Sequence, residues 1–586
     1  MKFLEVSEIY EKIDVTSKRL EMTDHLVNLF KSTPTDIIDR VIYLTQGKLY
    51  PDFKGIELGV ADKLAVKAIA FATGYTEDEV SDQLTKLGDL GLVAEEKVRT
   101  KKQRSLFSEP LDVNKVYESF EKIANATGNR SQDQKFKLIA ELLHDSSPVE
   151  AKYIIKSLTG KLRLGIADMT IIDALSIAFA TKDNRAEIEH AYNICSDLGA
   201  LGKALSEKGF QGTQDFQVSV GIPIRAMLAE RLSSIPEILE KLNGKCAFEY
   251  KYDGLRIQAH IEDDNIELYS RRLECITSQF PDVIEALKKS FQGNSAILEG
   301  ECVPIDINTG ELLPFQTVSR RRGRKYKLSS AIEKFPVIMF LFDCLYSDGI
   351  EYLNQNYLKR REVLGSIINE TDKVKTSDSL ITSIETEAEN YFEKAIDSGC
   401  EGLIAKSIAE DSFYRAGARG WHWIKYKRDY KSEMIDTADL VIVGAFAGHG
   451  RRTGVYGALL MAAYNPDTLE YETVCKLGTG FSDDDLKMIF ELLKSTFVVE
   501  KPDNVNSKMK ADYWFTPRYI FEVLGAEITY SPIHTCAFGE LKSDAGLAIR
   551  FPRFTGNWRQ DKRPEDATTT HELIGMYKSQ LKKLES

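Results

Sequence analysis

Glu249-Tyr250-Lys251-Tyr252-Asp253-Gly254-Leu255-Arg256 lies between two strand-like runs and is the sharpest local feature of a 586-residue chain. Glu249 and Lys251 are two apart on an extended segment and therefore share a face, while the Asp-Gly turn lets the backbone fold closely around a ligand. A lysine at a strand end is either a solvated edge residue or a nucleophile. As a nucleophile it must first lose its proton: with an ordinary pKa near 10.4, only about one molecule in 2,500 carries a neutral amine at pH 7. Such a site has to depress that pKa or bring a cation that does.

Working outward, Leu255 to Ile261 read LRIQAHI, with Leu255, Ile257, Ala259 and Ile261 alternating with polar residues. That alternation predicts a half-buried strand. Further strand-like runs are AILEGECV (296–303), PVIMFLFDCLY (336–346), EGLIAK (401–406) and WIKYK (423–427), with a helical YLKRREVL (357–364) among them. The middle region, 216–430, is thus α+β with much antiparallel sheet. From 431 to 586, DLVIVGAF, ALLMAAY, YETVCKL and YIFEVLGAEITY arrive at short spacing, predicting a small β-barrel followed by a helix from His571 to Leu584. Residues 1–215 are helical in pattern. Ser131-Gln-Asp-Gln134 and Ser147-Pro148-Val149-Glu150 read as capping boxes, and Phe136, Ile139, Ala140 and Leu143 form one apolar stripe.

The length suits roughly three to four domains. With 77 basic and 89 acidic residues the net charge is −12, which on balance alone points away from nucleic acid. The eight cysteines never form a CxxC pair, against a zinc cluster or disulfide framework and for a reducing compartment. No run suits a signal peptide or a membrane span, so a cytoplasmic protein is expected. A global sum nevertheless hides local patches. Residues 320–327 read RRRGRKYK, including Arg320, Arg321 and Arg322; this is either a solvated loop or, as favoured in so acidic a chain, a phosphate contact. GNRS (128–131, with Arg130) and GKLRLG (160–165, with Lys161 and Arg163) place glycine and basic side chains beside helix ends, as ordinary loops or as phosphate cradles.

Lys425 and Lys427 share one face of a strand, opposite Ile424 and Tyr426. They form either a charged outer face or a site for a phosphate chain that also lowers a neighbouring lysine's pKa. Glu299 and Glu301 are two apart in LEGECV, and Glu401 opens EGLIAK. Such carboxylates either form salt bridges or hold a divalent ion, Mg²⁺ being the one that suits oxygen ligands without His or Cys. No GxxxxGK[ST] cradle exists, and the glycines of 448–454 do not match a dinucleotide fingerprint.

Taken together these residues resemble the covalent nucleotidyltransferases, specifically ATP-dependent DNA ligases of the archaeal and eukaryotic replicative type. KYDGLR (251–256), Ser270-Arg271-Arg272, LFDCLYSDG (341–349), EGLIAK (401–406), WIKYKRDY (423–430) and IRFPRFTGNWRQDK (549–562) stand in family order. The resemblance implies that Lys251 takes AMP from ATP, that Glu249 reads adenine and that Phe342 stacks on it. It implies nucleotide contacts from Arg256, Arg271, Arg419, Lys425 and Lys427, and ribose or Mg²⁺ ligation by Glu301 and Glu401. Arg559, Asp561 and Lys562 resemble the motif that covers the β- and γ-phosphates.

The stretch Lys152 to Leu175 resembles the DNA-binding domain of these ligases. The implied architecture is an all-α DNA-binding domain (1–215), an α+β adenylation domain (216–430) and a β-barrel OB-fold domain (431–586). The implied partner is nicked duplex DNA, met by a monomer in replication, repair and recombination during cell division. Gln103, Leu106 and Phe107 resemble the peptide that docks on the sliding clamp, PCNA. An RNA ligase or capping enzyme would share Lys251 but not the helical region, an NAD-dependent ligase would carry zinc cysteines, and a non-catalytic DNA clamp of the same fold would not need every signature.

Overall fold

The computed structural model describes residues 1–585 apart from 103–108, 129, 306–311, 314, 316–320, 322–331, 333–334, 428–435, 449–453, 526, 532 and 551. The chain divides into two compact units, Met1–Tyr426 and Lys427–Ser586. Among the described residues no helix is long and apolar enough to cross a membrane.

The first unit opens with α-helices running from Phe3–Asp14 to Leu198–Lys208. They enclose a core in which Phe3, Phe30, Phe120 and Tyr153 are fully buried. Apolar burial of this kind is the main force holding such a bundle together. The expected box at Ser147 forms: its hydroxyl accepts from Glu150 N, and Glu150 accepts from Ser147 N at 2.8 Å. The one expected at Ser131 does not. The Gly128 carbonyl accepts from Ser131 N at 3.1 Å and winds Ser131 into the first turn, so Arg130 occupies the cap position with no side-chain bond. Ile139, Ala140 and Leu143 of the stripe are buried, and Phe136 meets the Phe71 ring edge-on at 5.3 Å.

Two sheets follow. One has the order β1-β11-β10-β2-β9, with β1 Leu228–Arg231, β2 Cys246–Lys251, β9 Ser379–Thr382, β10 Gly402–Ser407 and β11 Arg419–Lys427. The other runs β4-β3-β5-β6-β7, with β3 Leu255–Glu262, β4 Asn265–Ser270, β5 Ser295–Pro304, β6 Val337–Ser347 and β7 Ile350–Glu351; β8, Val374–Thr376, lies beside β6. Strand β3 departs from expectation. Gln258 and His260 are only 5% and 1% exposed, so the strand is buried on both faces. The cause is the irregular segment ahead of β1: Ile224 N donates to Gln258 Oε1 at 2.7 Å, and Gly221 N donates to His260 Nδ1 at 3.0 Å. Polar residues on a covered face are tolerated because each finds such a partner.

The second unit is a curled, mainly antiparallel sheet consistent with an OB-fold. Strands β12 Ala438–Ala447, β13 Tyr456–Asn465 and β14 Glu470–Leu477 form its centre, flanked by the short strands β15 Phe497–Val498 and β17 Tyr513–Phe515 on the β12 side and β16 Val505–Asn506 beside β14. The run YIFEVLGAEITY is two strands rather than one. After Gly525 the chain leaves β18, Ile520–Leu524, which pairs with β12, and continues as β19, Glu527–Ser531, which pairs with β20, Gly546–Arg550. Strand β21, Arg553–Trp558, pairs with β18. The closing helix, Thr570–Glu585, docks through Gln580, whose side chain bonds both Ile528 N and Ile528 O.

Candidate active site

Lys251 is the last residue of β2, opposite Gly402 of β10, and its carbonyl accepts from Glu401 N at 2.8 Å. The same Glu401 presents its carboxylate to the Lys251 ammonium as an ion pair. The Asp253-Gly254 turn carries the chain to β3, and only glycine fits there: a Cβ on Gly254 would lie 2.5 Å from the Cys302 carbonyl oxygen. This close approach brings Glu301 of β5, in register with Arg256, to the same place. Three carboxylates, Asp253, Glu301 and Glu401, therefore crowd one lysine. Burial pushes the Glu301 carboxyl up to about 7; Lys251 and Arg256 oppose that rise, while Glu401 and Asp253 add to it. Asp253 is likewise raised, first by burial and then by Glu401.

Two residues before Lys251, Glu249 points into a closed polar cage. Its carboxylate pairs with Lys406 of β10 at 2.8 Å and accepts from the Tyr357 hydroxyl at 2.5 Å. Lys406 is itself buried; its ammonium donates to the Phe342 carbonyl at 3.2 Å and lies 4.9 Å from the centre of the Phe342 ring and 4.5 Å from that of Trp423. A buried charge survives only when paired and hydrogen-bonded, and here each partner supplies that for the other. Burial lowers the Lys406 pKa, opposed chiefly by Glu249.

Arg256 stands beside this cage. It pairs with Glu299 at 2.7 Å, donates to the Met227 carbonyl at 2.9 Å and lies 5.3 Å from the Phe342 ring centre. The Tyr414 hydroxyl donates to the same Glu299 oxygen at 2.8 Å. Glu299 thus serves in a salt bridge, and Arg256, Glu299 and Arg271 line one small pocket together with Ile224 and Ser270. The arrangement gathers the Phe342 and Trp423 rings, which meet edge-on at 6.1 Å, an ordered acceptor in Glu249, and a lysine paired with a carboxylate. It is suited to fixing a planar heterocycle with its phosphate near Lys251.

Residues 226–427 match the family described as "ATP dependent DNA ligase domain", 2–176 match "DNA ligase N terminus" and 452–562 match "ATP dependent DNA ligase C terminal region". "DNA ligase 2" of Thermofilum pendens is 51% identical over 98% of this chain and 97% of its own, and "DNA ligase" of Staphylothermus marinus is 49% identical over 100% of both. The chain belongs to the ATP-dependent DNA ligases. The ligase also shares its fold with a solved structure described as "Pmar-Lig_Pre.", at a TM-score of 0.55, with 15% identity over 95% of this chain and 99% of that one.

Other expected contacts of the ligase fall at several places. Arg419 is exposed at the start of β11, while Lys425 and Lys427 are half-buried at its end and alternate with buried Ile424 and Tyr426. Arg559 and Lys562 belong to the second unit, where both pair with Asp439. Arg130, Lys161 and Arg163 are exposed, and Lys161 pairs with Asp62 at 2.8 Å. Arg320 and Arg322, and the clamp-like Gln103, Leu106 and Phe107, lie outside the described residues. Arg321 corrects the expectation for its run. It is fully buried, holds Asp282 through two bonds of 3.0 and 2.9 Å, and lies 5.6 Å from the Phe280 ring centre, so it is closed to DNA.

Sequence reasoning assigned no role to Lys406, Tyr357, Tyr414 or Trp423. Lys406 carried the one usable signal, a lysine inside an otherwise apolar strand run, which demands a buried anion.

Proposed function

We propose that the ligase seals nicks in duplex DNA through a covalent intermediate on Lys251. The deprotonated Nζ attacks the α-phosphorus of ATP, the bond from that phosphorus to pyrophosphate breaks, and AMP remains on the nitrogen. A terminal 5′-phosphate oxygen at the nick then displaces the lysine from the AMP phosphorus. In the last step the 3′-hydroxyl attacks the 5′-phosphorus, gives up its proton and expels AMP. The observation that carries this reading is the Lys251 ammonium held by Glu401 at the end of β2, with the caged Glu249 two residues behind it on the same strand. In it, Glu249 accepts from the adenine amine, Phe342 packs on the ring, and Arg256, Arg271, Arg419, Lys425 and Lys427 meet ribose and phosphates. Arg559 and Lys562 meet the β- and γ-phosphates.

Mg²⁺ fits the donors present. Glu301 and Glu401 are oxygen ligands, and the crowding that helps raise Glu301 to about 7 is relieved by a cation. Among the described residues no group of three or more His, Cys, Asp or Glu could hold a metal ion. Mg²⁺ characteristically needs only one or two carboxylates beside substrate phosphates and water. When bound, it neutralises charge on the phosphate chain.

Arg130, Lys161, Arg163, Arg320 and Arg322 are the proposed phosphate contacts to DNA, and 103–107 the proposed PCNA peptide. The protein acts as a monomer in DNA replication, repair and recombination, in the cytoplasm. The test is sealing of a singly nicked, end-labelled duplex with ATP and Mg²⁺. The wild type yields full-length strand; sealing that persists in Lys251→Ala overturns the reading.

A further inference from the structure

Asp439 is the second residue of β12 and only 7% exposed. Its backbone is fixed on both sides by one neighbour: Asp439 N donates to Thr568 Oγ1 at 2.8 Å, and its carbonyl accepts from Thr568 N at 2.8 Å. From this fixed position Oδ2 accepts from Arg559 Nη1 and from Lys562 Nζ, each at 2.7 Å. Two cations that would repel one another therefore meet at a single oxygen. The residue directly across the strand pair is Glu522, another acid. Like charges in that relation are destabilising, so Asp439 is an unfavourable choice for β12 unless the cations are its purpose. Glu522 adds to the field that favours the Arg559 cation but gives its hydrogen bonds elsewhere, its carboxylate accepting from Thr555 Oγ1 at 2.9 Å and from Asn557 Nδ2 at 3.3 Å.

The guanidinium of Arg559 is divided between two unlike carboxylates. Nη1 faces buried Asp439. The opposite edge, Nε and Nη2, is taken at 3.0 and 2.8 Å by Asp561, whose side chain is 64% exposed. An exposed carboxylate on a guanidinium fork exchanges readily for a phosphate of the same bidentate geometry. A buried one does not, because leaving would strand its charge.

We propose that Asp439 is a positioning residue for ATP. It holds Arg559 and Lys562 at a fixed spacing through their inner donors, so that the outer edge of Arg559 can exchange Asp561 for the β- and γ-phosphates and the Lys562 protons not given to Asp439 can reach the same group. This rests on the reading of Arg559 and Lys562 as triphosphate contacts and adds the residue that organises them. Because the last step of sealing involves no triphosphate, Asp439 matters for lysine adenylation and not for closing a nick that already carries AMP.

The experiment uses the full-length enzyme. Adenylation with α-labelled ATP is followed across an ATP titration for the wild type, Asp439→Asn, Asp439→Glu and Arg559→Ala. The same preparations are assayed for sealing a pre-adenylated nick, which also reports that each is folded. Asp439→Asn is expected to raise the ATP concentration for half-maximal adenylation roughly tenfold or more, with sealing of the pre-adenylated nick within about twofold of wild type. Asp439→Glu is expected to recover part of the loss. If Arg559→Ala loses adenylation while Asp439→Asn retains wild-type ATP dependence, the positioning role is wrong and the reading of Arg559 stands. If Asp439→Asn loses both reactions equally, the residue merely stabilises the barrel and the proposal falls. If Arg559→Ala adenylates like wild type, the underlying reading fails and the proposal with it.

Discussion

The Lys251 ammonium is paired with the Glu401 carboxylate, and the same two residues are joined through the backbone, Glu401 N–H donating to the Lys251 carbonyl at 2.8 Å. The backbone bond thus keeps the Glu401 main chain beside the residue its carboxylate pairs with. Glu401→Gln keeps the shape and removes the charge. It is expected to slow lysine adenylation roughly 10–100-fold and to raise the Mg²⁺ concentration required, read from single-turnover labelling across a metal titration. An unchanged rate and metal requirement would show that the pair is incidental.

Lys406→Met takes from buried Glu249 the nearer of its two cations, leaving Arg361 Nε at 3.8 Å. Breaking a buried pair from one side typically costs about 3–5 kcal/mol, whereas replacing both partners costs much less. Urea unfolding followed by tryptophan fluorescence should show a large loss for Lys406→Met and partial recovery for Lys406→Met with Glu249→Gln; Trp423, 4.5 Å from the ammonium, is a local reporter. Additive losses would mean the two residues act independently.

Arg163 and Arg321 should separate cleanly. Arg163 is exposed in the segment between the helices Pro148–Leu158 and Asp168–Phe179, and neutralising one phosphate contact lowers the slope of log Kobs against log salt by about 1. Arg163→Ala is expected to show that change in nicked-duplex binding. Arg321→Ala is expected to leave the slope intact and to lower the melting temperature, because Asp282 loses both of its bonds.

His260 gives the stability a specific pH dependence. Burial holds its pKa down at about 3 from an ordinary 6.5, and Nδ1 must stay unprotonated to accept from Gly221 N. The unfolded chain binds a proton that the folded chain refuses, so the contribution is fully present above about pH 6.5 and lost as pH falls towards 3. Urea unfolding at a series of pH values should show His260→Gln losing less stability than wild type across that window. Parallel curves would contradict it.

What was legible depended on whether a residue's role is set locally. Lys251, Glu301 and Glu401 stand in strand signatures, where spacing alone places them on a face. The Glu249–Lys406 pair depends on the register of β2 against β10, which no local pattern encodes. The second buried face of β3 comes from an irregular segment ahead of β1 that has no periodicity to read. Arg321 sits in a dense basic run, yet turns inward to an acid 39 residues upstream. The net charge of −12 described the whole surface and was silent about where its cations meet.

The central claim is that Lys251 carries AMP. Incubation with Mg²⁺ and ATP labelled at the α-phosphate should leave label on the protein, ATP labelled at the γ-phosphate should leave none, and nicked duplex DNA should discharge it. Label retained by Lys251→Ala, or absent from the wild type, would contradict the account.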